Sequence, residues 1–250
     1  MKVLVQNLAI EYRDEGVGPV MLFLHGWQDT LHTFDLLVPL LFPARRIIRV
    51  DLPGFGESET PGESWDLDGY VRFVRDFIRK LNISVDTLVG HSFGGRIVIK
   101  GEAAKELDPR RIILIASAGT VKRRTVRNAV IRALARIGKI VTSIPPLLFW
   151  REKLRARMYR LIGSDYMHAG VLKETFLKII FEDLSASAKK MTTPALLIWG
   201  AEDTEILLSE GKSLSRLIRN SKFKVVNGAG HFVHREKPQE VTELMQEFLR

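Results

Sequence analysis

The chain contains no cysteine, which removes disulfide staples, thiolate zinc sites, iron–sulfur clusters and a cysteine nucleophile together. No apolar run approaches the ~18 residues of a membrane-spanning helix. Neither G-x-x-x-x-G-K-[ST] nor G-x-G-x-x-G follows a strand pattern, so phosphate-loop and dinucleotide chemistry are not indicated. The opening Met1-Lys2-Val3-Leu4-Val5-Gln6-Asn7 reaches a polar pair too soon for a signal-peptide apolar region, and the expected address is cytoplasmic. Asn82-Ile83-Ser84 has the form of a glycosylation site and is read as chance in that compartment. What remains is a 250-residue chain, 46% hydrophobic and 27% charged, whose composition excludes disorder, collagen and coiled coil. A chain this long buries roughly 70–75% of its unfolded surface and holds a core without covalent help.

The formal net charge is +9, and it is local. Residues 119–190 hold 16 Lys and Arg against 5 Asp and Glu, whereas the rest of the chain holds 22 against 24. One segment therefore carries all the basicity. Such a module suits an acidic partner or an anionic surface, but Lys and Arg are also good helix formers and equally mark the solvated side of surface helices. Nucleic acid is not expected, because no binding motif accompanies the charge.

Val3 and Val5, then Ile10 and Tyr12, alternate at period two and predict two short edge strands with Asn7 in the turn between them. Short, nearly continuous apolar runs follow at residues 20–24, 47–50, 87–89, 112–116 and 195–199, the pattern of strands covered on both faces in a parallel sheet. Between them lie helical stretches. Asp66 or Asp68 can cap a helix carrying Tyr70, Phe73, Val74, Phe77, Ile78 and Leu81 on one face. Further helices are predicted from Phe93 to Glu106, and from Pro238 to the C-terminus with Val241, Leu244, Met245 and Phe248 inward. Strands alternating with helices make an α/β fold with crossover connections. The basic segment breaks that alternation. It reads as three helices, over residues 121–141, after Pro145-Pro146, and over residues 171–181, with no strand pattern.

Gly90-His91-Ser92-Phe93-Gly94 follows a predicted strand and opens a predicted helix, as a G-x-S-x-G nucleophile elbow requires. A turn that sharp exposes the serine hydroxyl, and glycines flank it because a Cβ there would clash. The same turn aims the Phe93 amide at a developing oxyanion, beside the positive end of the helix dipole. Ser92 needs a base, and histidine suits that role at neutral pH. Six histidines compete, at 25, 32, 91, 168, 231 and 234. His231 stands in a Gly-rich turn before the last helix; His234 is its competitor. His25 and His91 lie inside turns and read as structural.

At these residues the chain resembles the α/β-hydrolase fold superfamily, with further likenesses along the whole sequence. Phe23-Leu24-His25-Gly26-Trp27 is similar to the family's His-Gly turn, and Asp51-Leu52-Pro53-Gly54-Phe55-Gly56-Glu57-Ser58 to its D-x-P-G-x-G-x-S loop. Leu197-Ile198-Trp199-Gly200-Ala201-Glu202-Asp203 resembles the segment holding the triad acid, and Gly228-Ala229-Gly230-His231-Phe232 the turn holding the base. The motifs stand in the family's order, nucleophile then acid then base. The resemblance implies a mostly parallel eight-stranded sheet flanked by helices, with a helical cap inserted between its sixth and seventh strands. Residues 1–118 and 188–250 would be the core and 119–187 the cap. It implies a Ser92–His231–Asp203 triad, with Glu202 and Glu205 as alternative acids, and an oxyanion hole of the Trp27 and Phe93 amides. The family often has a proline a few residues past the acid; here Ile206-Leu207-Leu208 stands instead, which leaves the path of that loop open.

The implied reaction is hydrolysis of a small-molecule acyl ester or thioester through an acyl-enzyme, with no metal or organic cofactor. Serine at the elbow argues against haloalkane dehalogenases and epoxide hydrolases, whose chemistry uses a carboxylate nucleophile. Carbon–carbon bond hydrolysis and cofactor-free perhydrolase or haloperoxidase chemistry use the same triad and stay open, as does a non-enzymatic ligand-binding member. Such caps close over the nucleophile and shape the acyl pocket; Phe149, Trp150, Met158 and Phe176, with Leu148 and Ile180, are the lining candidates, and each also reads as packing of cap on core. The motif set has a slight likeness to pimeloyl-carrier-protein methyl ester esterases, which would make an acidic carrier the partner of the basic cap.

Overall fold

A computed structural model describes residues 1–41, 44–119 and 170–250. The strands are β1 (Lys2–Val5), β2 (Leu8–Glu15), β3 (Val20–Leu24), β4 (Arg46–Val50), β5 (Val85–His91), β6 (Arg111–Ile115), β7 (Ala195–Gly200) and β8 (Ser221–Val226). They form one eight-stranded sheet in the order β1-β2-β4-β3-β5-β6-β7-β8. β2 pairs antiparallel with both β1 and β4, and every other pairing is parallel. This is the mostly parallel α/β sheet that the apolar runs predict.

The β1–β2 hairpin closes on Gln6 and Asn7, at φ 50° and 61°. Two left-handed central residues give the twist that a two-residue hairpin needs. The expectation of two edge strands is corrected: of the two only β1 is an edge, because β2 continues to Glu15 and pairs with β4. The long run of β2 carries charged residues whose register on β4 a period-two count does not reveal.

Every residue of β3 is buried, as a central strand with both faces covered demands. Met21, Phe23, Ile47, Val89, Ile113, Ile115, Leu196 and Ile198 share one core layer with Phe34 and with Val241, Met245 and Leu249 of the last helix. Alternation sends Leu22, Leu88, Ile112 and Leu114 to the other face.

The helices include α1 (Val38–Leu41), α2 (Leu67–Lys80), α3 (Phe93–Ala103), α4 (Lys173–Ile180), α5 (Ser185–Lys190), α6 (Leu208–Leu217), α7 (Val233–Glu236) and α8 (Pro238–Leu249). Asp66, not Asp68, caps α2 by accepting the Gly69 N–H at 2.9 Å. α3 packs on β5 and on α2. It stops short of the expected Glu106 because Lys105 turns left-handed at φ 59° and the Glu106 and Leu107 amides return to the Gly101 carbonyl, a helix stop of the αL kind.

The chain separates into two compact units, Met1–Thr120 with Glu182–Arg250, and Val121–Phe181. In the second, the described residues form a 3-10 turn (Gly170–Leu172) and α4, which bears out the helix expected over 171–181. The other two expected cap helices lie outside the described residues. Among the described residues no helix is long and apolar enough to cross a membrane.

Candidate active site

Parallel strands all point their C-terminal ends the same way, and the crevice at those ends is where an open α/β sheet builds its sites. His25, Gly26 and Trp27 leave β3, Ser92 leaves β5, Asp203 follows β7, and His231 follows β8. Residues more than a hundred positions apart are thus delivered to one rim of the sheet.

Ser92 sits between β5 and α3 at φ 48° and ψ −107°, a strained setting for a residue with a side chain, of the kind that persists where surroundings over-determine it. The surroundings are visible. A Cβ on Gly94 would stand 2.1 Å from the Leu24 carbonyl oxygen, and one on Gly90 2.6 Å from the Gly95 nitrogen, so only glycine lets the elbow close. The Ser92 amide donates to the Ile115 carbonyl and the Gly94 amide to the His25 carbonyl, each at 3.0 Å. That second bond staples the His-Gly turn to the elbow, bringing Trp27 beside Phe93 with ring centroids 5.5 Å apart. Phe93 begins α3, so its N–H belongs to the first turn, which has no intrahelical acceptor.

The candidate acid and base meet. His231 Nδ1 lies 2.9 Å from Asp203 Oδ2, and both side chains are buried. The other Asp203 oxygen accepts the amides of Glu205 and Ile206, each at 2.9 Å, so three donors fix the carboxylate and leave it no rotamer freedom. The path of the loop after the acid is settled here. Trp199 Nε1 donates to the Ile206 carbonyl at 2.8 Å, and α6 starts at Leu208. Among the described residues no hydrogen bond joins the Ser92 hydroxyl to the His231 ring. His91, the residue before Ser92, has its ring centroid 4.9 Å from that of His231, and its Nε2 donates to the His231 carbonyl at 3.2 Å.

The structural reading of His25 and His91 holds. His25 donates from Nδ1 to the Gly26 carbonyl and accepts the Leu52 amide at Nε2. Accepting an N–H requires a bare nitrogen, so the ring is neutral, and burial lowers its pKa. His91 has a pKa well below the ordinary value, through burial first and the neighbouring histidines 234 and 231 next. His234, the competitor as base, is fully buried 4.5 Å from the His91 ring, with Nε2 on the Thr33 hydroxyl. Burial and the charge it would share with His231 push it down to about 3. It faces inward and away from the role of base.

Asp51 is a strut: its oxygens accept the amides of Leu31 and Glu57. Phe55 stacks edge-on against Trp27 at 4.9 Å and Tyr70 against Phe93 at 5.0 Å, an aromatic cluster, missed by sequence reasoning, around the two residues expected to supply the oxyanion amides. Only Phe55 carried a signal, inside the D-x-P-G-x-G-x-S loop. Of the lining candidates, Phe176 is buried on α4 and Ile180 is half-buried there; Leu148, Phe149, Trp150 and Met158 lie outside the described residues. Glu205, an alternative acid in the sequence, does not replace Asp203 at Nδ1. Its carboxylate approaches the other ring nitrogen, with Oε2 3.5 Å from His231 Nε2.

The Gly26 position gives a test of this packing. A Cβ there would meet His91 Nδ1 at 3.0 Å and the Ser92 Cβ at 3.4 Å. Gly26→Ala is expected to cost about 1–3 kcal/mol through overpacking, lowering Tm by roughly 2–4 °C for each kcal/mol. Scanning calorimetry reads it, and an unchanged Tm would mean that the His91 ring does not stand against this turn.

The alpha/beta hydrolase family matches residues 21–244. The chain is 26% identical over 259 residues to the uncharacterized hydrolase YugF of Bacillus subtilis, covering 98% of this chain and 94% of that one. It is 25% identical over 256 residues to human (Homo sapiens) monoacylglycerol lipase ABHD6, covering 94% and 76%. Among solved structures, a meta-cleavage product hydrolase from Pseudomonas fluorescens IP01 superposes with a TM-score of 0.75 at 22% identity, covering 100% and 97%. With an eight-stranded, mostly parallel sheet and a family match over nearly its whole length, this chain belongs to the alpha/beta hydrolase family.

Proposed function

We propose that the protein is a serine hydrolase that cleaves a carboxylic ester or thioester. The observation that carries this reading is the buried 2.9 Å pairing of His231 with Asp203 at the strand ends where strained Ser92 is presented. Ser92 Oγ attacks the acyl carbonyl and passes its proton to His231 Nε2, while Asp203 holds the Nδ1–H and stabilises the imidazolium. The carbonyl oxygen, now anionic, takes hydrogen bonds from the Trp27 and Phe93 amides. Collapse expels the alcohol or thiol, which leaves with the proton from Nε2. Water then attacks the acyl-enzyme with His231 again taking the proton, and Ser92 is restored as the acid product departs.

Labelling by a fluorophosphonate, present in the wild type and lost in Ser92→Ala, tests the nucleophile. A panel of p-nitrophenyl esters of graded chain length tests ester chemistry; labelling without turnover of any ester would favour carbon–carbon or peroxide chemistry on the same residues. No labelling at all would overturn the reading.

The basic stretch 119–190 is proposed as the surface that meets an acidic partner. Activity on a carrier-linked or anionic acyl ester is expected to fall severalfold between about 50 and about 500 mM salt, while that on a small neutral ester holds, because screening weakens exposed charge attraction. Equal insensitivity of both substrates would sink the partner and leave the hydrolase reading intact.

A further inference from the structure

We propose that Glu205 selects the alcohol, so that the site prefers esters whose leaving group carries a cation. The inference rests on the hydrolase reading and extends it from reaction class to substrate class.

Two carboxylates grip the His231 ring from opposite sides, and they differ in setting. Asp203 on Nδ1 is buried and saturated by the Glu205 and Ile206 amides. Glu205 belongs to the same short loop, so its backbone is fixed by the acid it helps to hold. Its side chain is 59% exposed, and its Oε2 stands 3.5 Å from Nε2. Nε2 is the atom that must protonate the leaving oxygen, and a proton is delivered over about 2.6–3.2 Å. The leaving oxygen therefore lies within about 7 Å of the Glu205 carboxylate, on the alcohol side of the acyl carbon. Among the described residues no lysine or arginine pairs with Glu205: the Arg235 guanidinium lies over the Phe232 ring, 5.4 Å from its centroid. A carboxylate there attracts a cationic alcohol and repels an anionic one.

The test compares kcat/KM for three esters of one acyl chain: a choline ester, its isostere with carbon in place of the quaternary nitrogen, and an ester whose alcohol bears a sulfonate. Because Glu205 is more than half exposed, the choline preference over the isostere is expected to be about three- to fivefold, the scale of a solvent-screened ion pair. The sulfonate ester is expected to be disfavoured by a similar factor. Glu205→Gln should bring both ratios close to one, and rising salt should shrink the wild-type preference. Turnover with ratios unchanged by Glu205→Gln, or all three esters rising or falling together, overturns the selector role, the latter making Glu205 a partner of the imidazole alone. Absence of both turnover and fluorophosphonate labelling sinks the hydrolase reading and this inference with it.

Discussion

Ser92→Ala and His231→Ala are each expected to lower kcat on the best ester by about 10⁴–10⁶-fold, while Asp203→Asn lowers it by roughly 10⁴-fold. At 1.4 kcal/mol per decade these are about 6–8 kcal/mol of lost transition-state stabilisation. The ordering follows from geometry. In the proposed mechanism, removing the hydroxyl removes the bond-forming atom, and removing the imidazole removes the group that carries the proton. Asp203→Asn keeps the shape, but its amide nitrogen would have to face either the His231 Nδ1–H or the Glu205 and Ile206 amides, which now all donate to the carboxylate. One donor must then meet another, which selects the wrong ring tautomer. The double variant Ser92→Ala/His231→Ala should cost no more than either single change, because the two act as a unit. Single-turnover kinetics checks this, and additive losses would mean that the residues do not cooperate.

Acid should unfold the protein earlier than its carboxylates alone would dictate. His91 and His234 are buried side by side, neutral, each with an Nδ1 that has no hydrogen-bond partner. Burial holds His234 down to about 3 and His91 well below its ordinary value, whereas in the unfolded chain both titrate near 6.5. The unfolded state then binds more protons below that pH. The contribution to stability is fully present above about pH 6.5 and is lost as pH falls toward the folded-state values. Each histidine gives a slope of up to ~1.4 kcal/mol per pH unit, so the pair should remove roughly 3 kcal/mol between pH 6.5 and pH 5, above the carboxylate range. Denaturant midpoints measured across that window read it directly. His234→Asn should remove about half of the slope, and a flat midpoint from pH 7 to 5 would refute the account.

Legibility differed by element for identifiable reasons. The central strands could be read because strands covered on both faces become unbroken apolar runs, as Val20–Leu24 and Ala195–Gly200 are. β8 was not read, because it lies at the sheet edge, where Lys222 and Lys224 interrupt its run. α6 was hidden by Gly211, which is there to admit the Trp199 indole; a Cβ would stand 2.6 Å from it. Glu102 reads as a surface residue of α3, yet it is 1% exposed, and its Oε1 receives the Thr192 and Thr193 hydroxyls and amides. Lys105, three residues on, also reaches that oxygen at 3.0 Å, but the threonines that bury it lie ninety positions away, beyond any local pattern.

The residues of the candidate triad and the oxyanion turns were readable in the sequence because each stands in a short motif whose glycines answer a local steric demand. The motif states which backbone can form, and hence which side chain it presents. What that reading could not contain is which ring nitrogen each carboxylate faces, and which histidines are sealed in and neutral. Those properties are set by distance and burial between segments that the chain connects only through the sheet. Tertiary packing alone decided that Asp203 holds Nδ1 while Glu205 looks onto Nε2.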